Sequence, residues 1–169
     1  MRIAAIVFDL DGTLYAESRF ALSGYAAVAE HVQRTGGAPA GVVFAALVGA
    51  LRTGRRAFAF QDAARALGAG EDVVGEWLAV YRAHRPRLRL PRVTAETMAR
   101  LRPGRRLGIL TNGLPSVQRA KVDALGLDRL VDAIVYAEEH GTRTGKPDPS
   151  AFCEVLARLE APAEASVFV

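Results

Sequence analysis

The chain has 169 residues, half of them hydrophobic and about a quarter charged, a composition that fits a globular protein of one domain, or one domain with an insert. Its formal net charge is +4 and its pI about 9.7, yet the basic residues are scattered arginines, and Lys121 and Lys146 are its only lysines. Without a basic block, nucleic acid is not an expected partner, and without an apolar run long enough to span a bilayer, neither is a membrane.

The single cysteine, Cys153, excludes an internal disulfide. Its neighbours Phe152, Val155 and Leu156 place it on a helix face expected to be buried. The apolar run at the start is short and Asp9 interrupts it, so it does not read as a signal peptide. The cytoplasm is therefore the expected compartment.

Residues 3–8 are rich in Ile, Ala and Val and read as a central parallel strand covered on both faces. The run stops at Asp9-Leu10-Asp11-Gly12-Thr13. A solvated Asp-Gly turn accounts for Asp11 and Gly12. It does not account for Asp9, which sits inside the apolar run, because an ionised carboxylate is expensive to bury unpaired. Asp9 reads as a nucleophile whose charge a divalent cation offsets.

Residues 21–101 change character. Helices are expected at about 21–35, 39–52, 56–67, 71–84 and 93–101, punctuated by Gly36-Gly37, Thr53-Gly54, Gly68-Ala69-Gly70 and the stretch from Pro86 to Pro91. No strand-like alternation interrupts them, so the segment reads as a helical insert. The α/β rhythm then resumes. Arg106 to Leu110 is a strand ending in Thr111-Asn112-Gly113, and a helix runs from Pro115 to about Leu125 and closes at Gly126. Ala133 to Tyr136 is a strand followed by a loop over 137–147. A helix runs from Asp148-Pro149 to about Glu160, and Ala165 to Val169 is a last strand. Alternating strands and helices imply parallel crossovers. The expected fold is α/β: a parallel Rossmann-like core sheet flanked by helices, with an inserted α-helical domain.

Asp9 with Asp11, Thr111 with Asn112, and the loop bearing Lys146 each follow a strand. In an open parallel sheet ligands bind at the carboxyl ends of the strands, so the three clusters should meet at one edge. In an extended segment Asp9 and Asp11 point the same way. Hard oxygen donors with no nearby His or Cys cluster favour magnesium over zinc. The Thr111 hydroxyl, the Asn112 amide and the backbone N–H groups of that turn suit phosphate oxygens. Lys146 adds positive charge. Together they match a phosphoryl group.

The segments Asp9-Leu10-Asp11-Gly12-Thr13, Leu110-Thr111-Asn112-Gly113 and Gly145-Lys146-Pro147-Asp148-Pro149 resemble, in order and strand context, the first three motifs of the haloacid dehalogenase-like hydrolase superfamily. The helical insert resembles that family's α-helical cap. On this resemblance residues 1–16 and 94–169 form the catalytic core and 17–93 the cap, with a hinge near 14–20 and 86–95 that lets the cap open and close. It implies a magnesium-dependent phosphatase acting on a small phosphorylated metabolite. Asp9 would form an aspartyl phosphate, and Asp11 would protonate the leaving oxygen and then deprotonate water. The Asp9 carboxylate and the Asp11 backbone carbonyl would hold Mg2+, Thr111 would bond the phosphoryl group, and Lys146 would stabilise Asp9 and the phosphoryl oxygens. Dehalogenases of the family generally lack an acid at the position of Asp11, because a departing halide needs no proton. A phosphomutase or a dehalogenase on the same scaffold is the alternative.

Two departures accompany the resemblance. The loop before Lys146, residues 138–145, is slightly longer than in many relatives. The family also follows its next strand with Gly-Asp and further acids that complete the magnesium site. Here Ser166-Val167-Phe168-Val169 ends where those residues begin, so the C-terminal part of the core is expected to be truncated, and a non-catalytic binding protein is a further alternative.

Other residues read more plainly. His31, His84 and His140 lack ligand spacing and are expected on the surface or in the cap, with a substrate-side role open to His140. Arg52, Arg55, Arg56, Arg82, Arg85, Arg87 and Arg89 read chiefly as solvated faces, and otherwise as a basic cap surface. Phe58, Phe60, Trp77 and Tyr81 read as cap core before pocket lining. Tyr15 and Phe20 flank the hinge, and Glu138 and Glu139 are expected to be solvated or to support the site from behind.

Overall fold

The structure is a computed structural model that describes residues 2–138 and 145–169. Its sheet has four parallel strands in the order β3-β2-β1-β4, where β1 is Ala5–Phe8, β2 Arg106–Thr111, β3 Ala133–Tyr136 and β4 Ser166–Phe168. All four residues of β1 are buried, as an apolar run between two neighbouring strands requires. Ala5 pairs with Arg106 on one side and with Ser166 on the other. This register brings the ends of β1 and β2, and hence Asp9 and Thr111, to the same edge of the sheet.

The chain divides into two compact units, Met1–Glu17 with Leu88–Val169, and Ser18–Arg87. The first unit is the α/β core, with helices α5 (Arg92–Leu101), α6 (Pro115–Leu125) and α7 (Pro149–Arg158). Pro115 and Pro149 each sit in a first helical turn, where no intrahelical N–H is needed. Gly126 closes α6 in the left-handed conformation, with φ of 65°. Asp148 caps α7 by accepting the Ser150 backbone N–H at 2.8 Å. Under α7, Ala151, Val155 and Leu159 pack with Ala5, Val7, Leu110 and Val135 of the sheet.

The second unit is all helical: α1 (Ser18–Arg34), α2 (Ala40–Arg52), α3 (Ala59–Ala66) and α4 (Val73–Ala83). Tyr25, Val28, Val32, Val43, Leu47, Phe60 and Trp77 fill its core. The rings of Phe20, Tyr25, Phe60 and Tyr81 meet mostly edge to face, with centroids 5.3–5.8 Å apart. Among the described residues no helix is long and apolar enough to cross a membrane.

Three expectations change. Cys153 is exposed, because α7 buries Ala151 and Val155, one turn apart, and turns the intervening residue outward. Phe58 leaves the cap core: it is 53% exposed, beneath the Arg55 guanidinium. The return from the helical unit lies at 87/88 and not at 93/94, a point inside α5. Residues 88–91, the end of the proline-bounded stretch before α5, belong with the core.

Candidate active site

The loop after β1 is shaped by local geometry. Gly12 has a φ of +81°, a conformation that glycine adopts without a Cβ penalty. The chain reverses there, so that the Gly12 N–H reaches Tyr15 O at 3.1 Å and the Leu14 N–H reaches Leu10 O at 3.1 Å. Leu10 and Leu14 go into the core, while Asp9 and Asp11 take the opposite, partly exposed side.

Lys146 Nζ donates to Asp9 Oδ1 at 2.5 Å. The lysine comes from a distant loop that Asn112 fixes in place. The Asn112 Nδ2 donates to Lys146 O at 3.0 Å, and the Lys146 N–H donates to Asn112 Oδ1 at 2.8 Å. The Asn112 amide is thus committed to the backbone of Lys146, a different use from the substrate contact expected of it. Glu138 Oε1 accepts the Gly113 N–H at 2.8 Å and fastens the turn after β2 to the segment after β3, a supporting contact. Glu139 and His140 lie outside the described residues.

Asp11 has a second set of partners. Lys121 Nζ donates to Asp11 Oδ1 at 2.9 Å and to Oδ2 at 2.8 Å. Gln118 Nε2 donates to Asp11 Oδ2 at 2.9 Å and also to Thr111 Oγ1 at 2.5 Å. The Tyr15 hydroxyl donates to Asp11 Oδ1. Burial alone would push the Asp11 carboxyl up. The hydrogen bonds from Lys121, Tyr15 and Gln118, with the Lys121 charge, outweigh it and hold the carboxyl below its usual value. Thr111 is only 1% exposed, and Gln118 engages its hydroxyl. A phosphoryl oxygen bound there has to share or displace that contact.

The five residues expected to share the site, Asp9, Asp11, Thr111, Asn112 and Lys146, are therefore joined in two adjoining clusters. One is Asp9–Lys146–Asn112, and the other is Asp11–Lys121–Gln118–Thr111 with Tyr15. Each carboxylate faces an ammonium, so neither charge is left unpaired. Lys121 and Gln118 are absent from the sequence expectation. No local pattern marks them: in α6 Gln118, Lys121, Val122 and Leu125 follow an i, i+3, i+4, i+7 stripe that only the tertiary structure buries. Polar residues in a buried stripe ask for a polar partner. Lys121 is also one of two lysines in an arginine-rich chain, and both contact the paired aspartates.

As to metal, the Asp9 carboxylate and the Asp11 backbone carbonyl are hard oxygen donors of the kind magnesium takes. Among the described residues no three His, Cys, Asp or Glu side chains are placed to hold a metal together. Magnesium tolerates so small a protein share, because water and phosphate oxygens commonly fill its other positions. The donor set fits in kind.

A family model of haloacid dehalogenase-like hydrolases matches residues 3–169. No curated protein matches the chain. Among solved structures, the chain is similar to YfnB from Bacillus subtilis, described as a HAD-hydrolase bound to magnesium. That match has 19% identity and a TM-score of 0.64, and covers 99% of this chain and 78% of the other. A Thermotoga maritima protein described as a β-phosphoglucomutase matches at 21% identity and a TM-score of 0.63, over 98% and 75% of the two chains. The L-2-haloacid dehalogenase from Xanthobacter autotrophicus matches at 23% identity and a TM-score of 0.53, over 98% and 69%. At these identities the structural matches speak for the fold, and the family model covers nearly all of the sequence: the chain belongs to the haloacid dehalogenase-like hydrolases.

Proposed function

We propose that the chain is a magnesium-dependent phosphatase that hydrolyses a small phosphorylated metabolite through a covalent aspartyl phosphate. The observation that supports this reading over dehalogenation is Asp11, a carboxyl held by proton donors two residues from Asp9. A departing alkoxide needs a proton and a departing halide does not, so a second acid is useful only in the first case.

In this reading an Asp9 carboxylate oxygen attacks phosphorus and the ester P–O bond breaks, with the electron pair leaving on the ester oxygen. Asp11, ionised at rest beside Lys121, first takes up a proton from solvent and then delivers it to that oxygen. Water then attacks the phosphorus of the aspartyl phosphate, Asp11 takes the proton from water, and the bond to Asp9 breaks to release phosphate. Lys146, fixed by Asn112, holds Asp9 in place and supplies positive charge to the phosphoryl oxygens as they approach. Magnesium held by the Asp9 carboxylate and the Asp11 backbone carbonyl would offset the charge of the phosphate dianion.

The test is phosphate release from a panel of phosphate monoesters, with Asp9→Asn as control and halide release from 2-haloacids in parallel. The expected result is metal-dependent phosphate release that Asp9→Asn lowers by at least about 10³-fold. Full activity in Asp9→Asn would remove the covalent step. Halide release without phosphate release would move the chain to the dehalogenases.

A further inference from the structure

Lys121 has no place in the chemistry described so far, yet it is nearly buried and touches both oxygens of Asp11. With Gln118 on Oδ2 and Tyr15 on Oδ1, four donor contacts converge on one carboxylate. A carboxylate offers about four lone-pair sites, so all are occupied in the ionised form, and one of these donors withdraws when Asp11 carries a proton. Of the three side chains only Lys121 is charged and only Lys121 bridges the two oxygens. It therefore fixes the rotation of the carboxylate as well as its position. Gln118 sits one helical turn earlier on α6 and ties the same carboxylate to Thr111 at the end of β2. A residue of the loop after β1 is thus placed by a helix more than a hundred positions away.

We propose that Lys121, assisted by Gln118, is the positioning residue for Asp11. It orients the carboxyl that exchanges protons with the leaving oxygen and with water. This rests on the phosphatase reading of Asp11. A proton donor works only within about 2.6–3.2 Å of its acceptor, and a displacement of about 1 Å costs on the order of 10²-fold in rate. An Asp11 held only by Gln118 and Tyr15 gives up that alignment.

The experiment compares the intact protein with Lys121→Met and Lys121→Arg on two esters, an alkyl phosphate and p-nitrophenyl phosphate. The ratio kcat/KM reports all steps through departure of the leaving group. An alkoxide needs a well-placed proton, whereas p-nitrophenolate leaves without one. Lys121→Met is expected to lower kcat/KM on the alkyl ester at least roughly tenfold more than on the aryl ester, mainly through kcat, with partial recovery in Lys121→Arg. Equal losses on both esters, as from general damage to the fold, would overturn the positioning role. So would a gain on the alkyl ester, because it would mean that Lys121 merely keeps Asp11 unprotonated. If neither variant folds, Gln118→Met is read in the same way.

A second measurement does not need turnover. The side-chain ammonium of Lys121 should give a slowly exchanging 1H–15N signal that Asp11→Asn abolishes and Asp9→Asn leaves in place. Survival of that signal in Asp11→Asn would overturn the proposal. Should no phosphate ester be hydrolysed, the phosphatase reading fails, and this signal still decides whether Lys121 holds Asp11.

Discussion

Lys121 and Lys146 hold the two aspartates at different depths. The Lys121 side chain is 7% exposed and its partner Asp11 21%, against 17% for Lys146 and 31% for Asp9. Removing one charge from a buried pair leaves the other desolvated, and the cost grows with depth. Asp11→Asn is therefore expected to cost roughly 1–3 kcal/mol, less than a fully buried pair because the carboxylate still meets solvent, and Asp9→Asn about 1 kcal/mol or less. Urea midpoints of the two variants check this, and equal midpoints would mean that depth does not separate the pairs. The same contrast explains which site residues could be read in the sequence. Asp9, Asp11, Asn112 and Lys146 stand in loops that follow strands, and Thr111 is the last residue of β2, where the local pattern already announces a site. Gln118 and Lys121 lie inside a helix, where a glutamine and a lysine look like a solvated face. Only the tertiary structure shows that their stripe is the buried one. The uses of Asn112 and Thr111 were hidden for a related reason. Their groups suit a phosphate, but they equally suit the backbone of Lys146 and the amide of Gln118, and residue type alone does not choose between them.

At the scale of elements, the strands and helices of the core follow from apolar runs, prolines in first turns and a closing glycine, so β3 and α6 fall where the sequence places them. What the sequence leaves open is which face meets which, and Cys153 and Phe58 show the consequence. Gly108 shows it in the sheet. It lies in the middle of β2, where a side chain would ordinarily favour the strand. A Cβ there would stand 2.8 Å from Leu159 Cδ1 and 3.2 Å from Val155 Cγ2, and both neighbours are fully packed. Strand propensity spans only about 1 kcal/mol, whereas forcing methyl groups into a packed core costs about 1–3 kcal/mol. Packing wins, so Gly108→Val is expected to destabilise the protein by about 1–3 kcal/mol. Thermal or urea unfolding checks the sign; a variant as stable as the parent would show that α7 can shift away from the sheet.

At the scale of the whole molecule, the two units carry titrating groups whose effects fall in different pH ranges. In the helical unit, burial pushes the His84 imidazole below its ordinary value of 6.5, with a smaller opposing effect from the hydrogen bond to the Tyr81 carbonyl. Its Nδ1 lies 2.6 Å from Tyr81 O and its Nε2 3.2 Å from Ser23 Oγ, which itself accepts the Arg87 N–H at 2.8 Å. A neutral ring with the proton on Nδ1 satisfies all three contacts. Because the folded value is the lower one, the unfolded chain takes up the proton first. Stability is complete above about pH 6.5 and declines as the pH falls from there through the folded value. In the core, the Asp11 carboxyl is held below its ordinary value of 3.8. The sign is the same, but the stability it contributes is present above about pH 3.8 and is lost only below it. Acidification from about pH 7.5 to about 5.5 is therefore expected to weaken α1 and α4 while leaving β1 and α6 unchanged. The core should lose protection only as the pH falls below about 4. Residue-resolved hydrogen exchange, corrected for the intrinsic rate, reads the two units separately. His84→Gln should flatten the first response and Lys121→Met the second. A single pH profile shared by both units would mean that they open together, and that neither His84 nor Asp11 sets the acid response of its own unit.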